Sequence, residues 1–253
     1  MSGDLDEETL TAALGDRPLR SLPAVLSTES QAMAWARAGV AGGAVVVADY
    51  QAAPRGRSGL PWTVTAGRGL GFSLVTRNEL DAEHEGWPYL PAALAVAEAL
   101  GSPDLEWPDS VGSSDDPEPL ARLGVCAEPT TDGGFWATVT VLVTEAAPPR
   151  AALLAELVAA LESRLEDTPE RVLEAYRSRC VTLGRPVRAR MIPLGPAGAE
   201  IVGEAVDVLA DGALVIRTER GNRVAVLPQH LGVLEAADGP PQVPSDIQAR
   251  LER

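Results

Sequence analysis

The sequence predicts a mixed α/β (α+β) protein: a larger domain of strands and helices, then a small β-barrel. Three observations carry this. First, β-branched runs of strand length (Val45-Val46-Val47, GFSLVTR at 71–77, FWATVTVLVT at 135–144) intersperse with apolar stretches of helical length and period at 88–100 and 150–166. Second, the texture changes after residue 180. Short β runs at 187–191, 201–208, 213–218 and 222–227 are separated by turns at Pro196/Gly198, Asp211-Gly212 and Arg220-Gly221-Asn222, the spacing of a small barrel. Third, 253 residues with a 45% apolar content suit one large core and one small one.

Charge narrows the function classes. The formal net charge is −15, which argues against a phosphate backbone as the main partner. Every one of the 21 basic side chains is arginine, so no step can use lysine as Schiff base, point charge or acyl acceptor. The acidic N-terminus has no apolar h-region, and no stretch reaches about 18 apolar residues, so neither a signal peptide nor a membrane span is expected. A cytoplasmic location follows. Cys126 and Cys180 form no metal spacing, and Cys126, in the apolar run LGVCAE, reads as a buried thiol.

Taken in order, residues 4–15 read as a short helix with acidic residues in its first turn, ended at Gly15. Leu22–Leu26 is a weak strand. Ser27-Thr28 precede a helix over Gln31–Ala38 and read first as its N-cap. Gly43–Asp49 is a strand. The loop Ala48–Trp62 follows, with two arginines, two glycines and a closing tryptophan. Glycines there free backbone N–H groups for an anion, arginines neutralise it, and the indole can lie over a planar or apolar ligand. Residues 78–86 are acidic, with His84 read as exposed. The helix 88–100 ends at Gly101, and 112–119 form an acidic turn. Strands follow at 120–128 and 135–144. Helices occupy 150–166 and, from Thr168-Pro169, run to Arg179. His230 lies after the last strand, and 237–253 form a loose tail.

The loop residues Gln51, Arg55, Gly56, Arg57, Gly59 and Trp62 resemble the Q-x-x-G-R-G-R-x-G-R-x-W loop of biotin protein ligases, with Pro54 and Leu60 departing from it. A second stretch, Leu105-Glu106-Trp107-Pro108-Asp109-Ser110, resembles the family's K-W-P-N-D motif. A third, Leu120–Glu128, resembles K-L-A-G-I-L-V-E, matching at Gly124 and Glu128. Ser27 and Thr28 match the family's S-T-N, with Glu29 in place of asparagine. The resemblance covers roughly residues 5–235. It implies a mixed-sheet biotin/lipoate ligase-like domain over 1–179, an SH3-like barrel over 180–236 and a tail. It also implies no upstream DNA-reading module, because the motifs begin by residue 26.

The family reaction forms biotinyl-adenylate from biotin and ATP with Mg²⁺, then transfers biotin to a carrier-protein lysine. Carried over residue by residue, the resemblance assigns Ser27, Thr28, Gln51, Arg55, Gly56, Trp62 and Gly124 to the acid. It assigns Arg57, Trp62, Trp107 and Asp109 to the nucleotide, Asp109 to the metal, and Arg57 to the adenylate phosphate as catalytic residue. The departures cluster on the nucleotide side. Glu106 and Ala121 replace lysines, Ser110 replaces the aspartate, and residues 135–144 lack the family's G-x-G-x-N. Removing one preorganised cation of this kind costs on the order of 10²–10³ in rate. Arg122 adjoins Ala121, yet alternation along a strand would require a slip for it to substitute. Three readings stay open: a homologue that binds a small acid, an adenylate or a carrier domain with weak or no ligase activity; an active ligase with a rearranged site; and a ligase for another acyl group such as lipoate or octanoate.

Overall fold

The computed structural model describes residues 3–62, 67–78, 84–112, 118–130, 134–195 and 198–237. Most of the expected acidic turn at 112–119 and of the acidic run 78–86, the turn residue Pro196 and almost all of the tail lie outside them.

Seven strands form the larger sheet in the order β1-β2-β3-β7-β6-β5-β4. They are β1 (Leu19–Leu22), β2 (Val45–Ala48), β3 (Leu70–Asn78), β4 (Leu105–Glu106), β5 (Ser110–Val111), β6 (Ala121–Pro129) and β7 (Phe135–Val143). Only β1 and β2 pair in parallel; the other neighbours are antiparallel. The sheet is therefore mixed, as the resemblance implies.

Alternation along the strands divides the sheet into two faces. Val45 and Val47, Phe72 and Leu74, and Val139, Val141 and Val143 face the main core with α1 (Glu7–Leu14), α3 (Tyr89–Ala99), α4 (Arg150–Leu165) and α5 (Pro169–Arg179). Val46, Val75 and Trp136 face the other way, against Ala32 and Ala36 of α2 (Thr28–Arg37). The helix α3 is buried along nearly its whole length. A small-residue helix (YLPAALAVAEA) is what lets it lie between the sheet and α4 without gaps.

Five strands form the second sheet in the order β11-β10-β9-β8-β12, all antiparallel. They are β8 (Pro186–Met191), β9 (Glu200–Val208), β10 (Leu214–Arg217), β11 (Arg223–Val226) and β12 (Leu231–Ala236). β12 lies beyond the strands expected from sequence, which end before His230. Its short run, LGVLEA, carries a glycine and joins β8 through a register shift between Leu231 and Val233, which breaks the alternating pattern.

Four further expectations are corrected. β1 lies at 19–22 rather than 22–26, because Pro23 has no N–H to continue a ladder; Val25 makes only an isolated bridge to Gln51. α2 begins at Thr28 rather than Gln31. His84 is half-buried rather than exposed, and Cys126 is half-buried rather than enclosed.

Candidate functional site

The face of the sheet toward α2 carries a buried chain of polar groups. Gln51 follows β2, and its Oε1 accepts the Thr28 backbone N–H at 2.8 Å and the Thr28 hydroxyl at 3.2 Å. Ser73 of β3 donates its hydroxyl to Thr28 Oγ1 at 3.0 Å and lies 2.8 Å from Thr140 Oγ1 of β7. All four side chains are buried. Ser27 precedes them as the helix cap with an extended backbone, but its hydroxyl makes no capping bond. That hydroxyl is 2% exposed at the residue level and has no hydrogen-bond partner. Buried hydroxyls normally have partners, and that of Ser27 has none.

Two more groups surround this point. Glu29, in the first turn of α2, is 9% exposed, and burial pushes its carboxyl up to about 7, against the lowering effect of Arg55. Cys126, on β6, is pushed up to about 11 by burial and by the charges of Glu29 and Glu128. Beneath them the Tyr89 hydroxyl accepts the Val125 N–H at 3.1 Å.

The loop 54–62 closes on itself. Gly56 N–H donates to Leu60 O at 2.9 Å, Gly59 N–H to Gly56 O at 3.0 Å, and Trp62 N–H to Pro54 O at 3.0 Å. The glycine N–H groups expected to be free for an anion are thus bonded within the loop, because the chain from Arg55 to Pro61 pairs as a narrow hairpin. Trp62 lies over Gly56 so closely that a Cβ there would collide with the indole. Gly56 in turn rests on Gly124 of β6: a Cβ on Gly124 would lie 3.0 Å from Gly56 Cα. Arg55 is exposed and donates to Gly59 O at 3.2 Å.

Arg57 leaves the loop in another direction. It is 5% exposed. Its Nε donates to Asp109 Oδ2 at 3.0 Å, Nη1 to Pro228 O at 3.3 Å and to Leu231 O, and Nη2 to Gly232 O at 3.3 Å. Trp107 is buried as well, and its indole N–H donates to Gly212 O at 2.9 Å in the turn between β9 and β10. Three of the four residues that the resemblance assigns to the nucleotide, Arg57, Trp107 and Asp109, are therefore gathered where the larger domain meets the second sheet, while the fourth, Trp62, lies over Gly56. The acid-side residues Ser27, Thr28 and Gln51 gather at the start of α2, and Gly56, Gly124 and Trp62 stack beside β6. No group of three or more His, Cys, Asp or Glu among the described residues is placed to hold a metal ion.

The strand register corrects the expectation for Arg122. Ala121 pairs with Val143 and is fully buried on the core face, whereas Arg122, Gly124, Cys126 and Glu128 oppose Leu142, Thr140, Thr138 and Trp136. Arg122 thus shares the site face with Gly124 without any slip. On β7, Val139 and Val141 point into the core, and Thr140 joins the polar network on the other face. Ser73 and Thr140 were missed from sequence. The available signal was a hydroxyl at alternate positions of an otherwise apolar, fully buried strand, where it needs a partner.

No protein-family model matches the chain. A curated relative, the biotin--[acetyl-CoA-carboxylase] ligase of Mycobacterium tuberculosis, is 28% identical over 256 residues, spanning 88% of this chain and 91% of its own. Among solved structures, a biotin protein ligase from Aquifex aeolicus in complex with biotin and ATP is similar with a TM-score of 0.64 at 24% identity, covering 87% of this chain and 99% of that one. The biotin acetyl coenzyme A carboxylase synthetase of Helicobacter pylori, with bound biotinylated ATP, has a TM-score of 0.55 at 16% identity, covering 83% and 100%. A biotin protein ligase-like protein of unknown function from Silicibacter sp. has a TM-score of 0.61 at 15% identity, covering 84% and 94%. At these identities the structural likeness establishes the fold.

Proposed function

The chain is a homologue of the biotin protein ligases, and from that premise we propose that it binds a small biotin-like carboxylic acid or its adenylate, with weak or no ligase activity. The observation that carries this is the contrast between the two halves of the site. On the acid side, Gln51, Thr28, Ser73 and Thr140 form one connected buried network, and the Ser27 hydroxyl is unpartnered. A ligand that supplies an acceptor or donor to Ser27 completes that network. On the nucleotide side, Arg57 and Asp109 hold each other, and Trp107 is bonded to Gly212.

These residues fit a biotin-like acid. Ser27, Thr28 and Glu29 would meet its polar head, and Gly56, Gly124 and Trp62 would bound its chain. They fit ATP less well, since a bound nucleotide has to draw Arg57 from its present acceptors. The ATP would supply the phosphate that activates the carboxyl. A nucleotide-borne Mg²⁺ needs only one or two carboxylates, and Asp109 would be one. The carrier partner of the family reaction and an SH3-like role for the residue 180–236 unit are part of the same reading.

One observation favours an active enzyme with a rearranged site: Arg122 presents a cation on the site face two residues from Gly124. The test is calorimetric titration with biotin, ATP–Mg²⁺ and a non-hydrolysable biotinyl-adenylate mimic, alongside pyrophosphate exchange into ATP. Binding of biotin or the mimic without exchange is expected. Exchange at a rate typical of adenylating enzymes would replace this reading by the rearranged ligase, and no binding of any ligand would end both.

A further inference from the structure

We propose that residues 228–232 are an internal clasp that occupies Arg57 while the site is empty and gives it up to an acyl phosphate. The ligand half of this proposal rests on the function proposed above; the clasp itself rests on geometry alone.

Arginine carries five N–H donors in a fixed fork. Arg57 directs four of them at oxygens: Asp109 Oδ2 from Nε, Pro228 O and Leu231 O from Nη1, and Gly232 O from Nη2. Three carbonyl oxygens and a carboxylate oxygen around one guanidinium resemble the acceptor set of a phosphate group. The three carbonyls come from a 3₁₀ turn at Pro228–His230 and from the start of β12. The next loop residue strengthens the contact, since Ser58 donates its hydroxyl to Gln229 O at 2.8 Å. Gln229 then donates to Glu85 Oε1 at 2.5 Å, which fixes the turn to the segment before α3.

The loop can respond as a unit. Its hairpin bonds tie Arg57 to Gly56 and Trp62, and Gly56 lies on Gly124 beside the acid site. A ligand seated between β6 and the loop must lift Gly56, because Gly56 and Gly124 already touch. Lifting it draws Arg57 from the 228–232 carbonyls. A phosphate on the ligand offers Arg57 equivalent acceptors with a full charge, which makes the exchange favourable. Ser58 holds a left-handed backbone at φ 55, uncommon for a side chain other than glycine, within a turn closed by Leu60 N–H on Arg57 O at 3.0 Å, and its hydroxyl reaches out of the loop to Gln229 O.

Hydrogen exchange on the full chain tests this. In the absence of ligand, Ser58→Ala and Arg57→Gln should each speed exchange at residues 228–236. The biotinyl-adenylate mimic should do the same in the wild-type protein while slowing exchange at 55–62. Ser58→Ala leaves Arg57 intact, so it should also bind the mimic about two- to fivefold more tightly, the loss of one competing hydrogen bond. Unchanged exchange at 228–236 in both variants overturns the clasp. Binding of the mimic with no change at 228–236, or weaker binding by Ser58→Ala, overturns the exchange of partners and leaves the binding function standing. A mimic that binds no form of the protein overturns the proposed function instead, and the variants still decide the clasp.

Discussion

The Gln51 side chain caps helix α2 from outside it. Its Oε1 lies 2.8 Å from the Thr28 nitrogen, satisfying one of the N–H groups that a helix N-terminus leaves without an internal partner. The residue positioned to do this by sequence, Ser27, does not. A residue at the end of one strand therefore sets both the start of α2 and the orientation of the Thr28 hydroxyl. Gly71, opposite Ala48 on β3, leaves the space that the Gln51 amide fills.

Gln51→Ala should cost about 1–3 kcal/mol, because it leaves the buried Thr28 donors without an acceptor. It should also weaken binding of biotin by tenfold or more. Gln51→Glu keeps the acceptor and should recover most of the stability. Urea unfolding and calorimetry measure the two effects separately, and a Gln51→Ala variant of wild-type stability would remove Gln51 from its capping role.

Glu29 gives a pH signature. Its carboxyl is raised by burial from the ordinary 4.5 to about 7 in the folded protein. The folded state therefore holds the proton more tightly than the unfolded one between those values. Its contribution to stability is fully favourable below about pH 4.5, is lost as pH rises toward 7, and is flat above that. The loss is on the order of 2–3 kcal/mol. Glu29→Gln should abolish this slope and stabilise the protein at pH 8. Melting temperatures of the two proteins that run parallel from pH 4.5 to 8 would contradict the assignment.

Gly124→Ala places a methyl 3.0 Å from Gly56 Cα and 3.1 Å from Gly56 C. Both are backbone atoms, so the loop must rise. The cost should be about 1–3 kcal/mol, and trypsin should cut faster at Arg55 or Arg57. Unaltered cleavage would show that the loop does not bear on β6 in solution.

Arg122 and Arg68 are two arginines outside the loop, and the structure separates them. Arg68 pairs with Glu145 at an exposed site, with both side chains more than half accessible, where such pairs contribute about 0–1 kcal/mol. Arg122 lies on the face of Gly124. Arg122→Ala should weaken the adenylate mimic by about tenfold, the loss of one charge-assisted contact, and Arg68→Ala should leave it unchanged. Equal effects, or a larger effect at Arg68, would reverse the assignment.

Much of the fold was legible because local signals agreed. The run FWATVTVLVT is a strand on propensity, and PYLPAALAVAEAL is a helix on length and composition. Gly15 and Gly101 end their helices with positive φ, as their positions implied. What failed were places where a distant group substituted for a local one. Ser27 and Thr28 signalled a cap, but the cap came from Gln51, 23 residues on. Leu231–Ala236 lacked a clean alternation because its pairing with β8 shifts register.

By itself the sequence determined most of the strands and helices in their order, the absence of any lysine and the two motif stretches that tie the chain to its relatives. Those follow from side-chain chemistry and from the period of the chain, which are local. Only the tertiary structure decided what the motif residues touch. It put Arg122 rather than Ala121 on the site face, since a one-residue step along a strand reverses the side. It joined Ser73 and Thr140 to Thr28 across three elements, and it turned Arg57 toward carbonyls more than 170 residues away. A buried arginine takes whatever acceptors the packed chain presents, and their positions are set by the docking of two sheets.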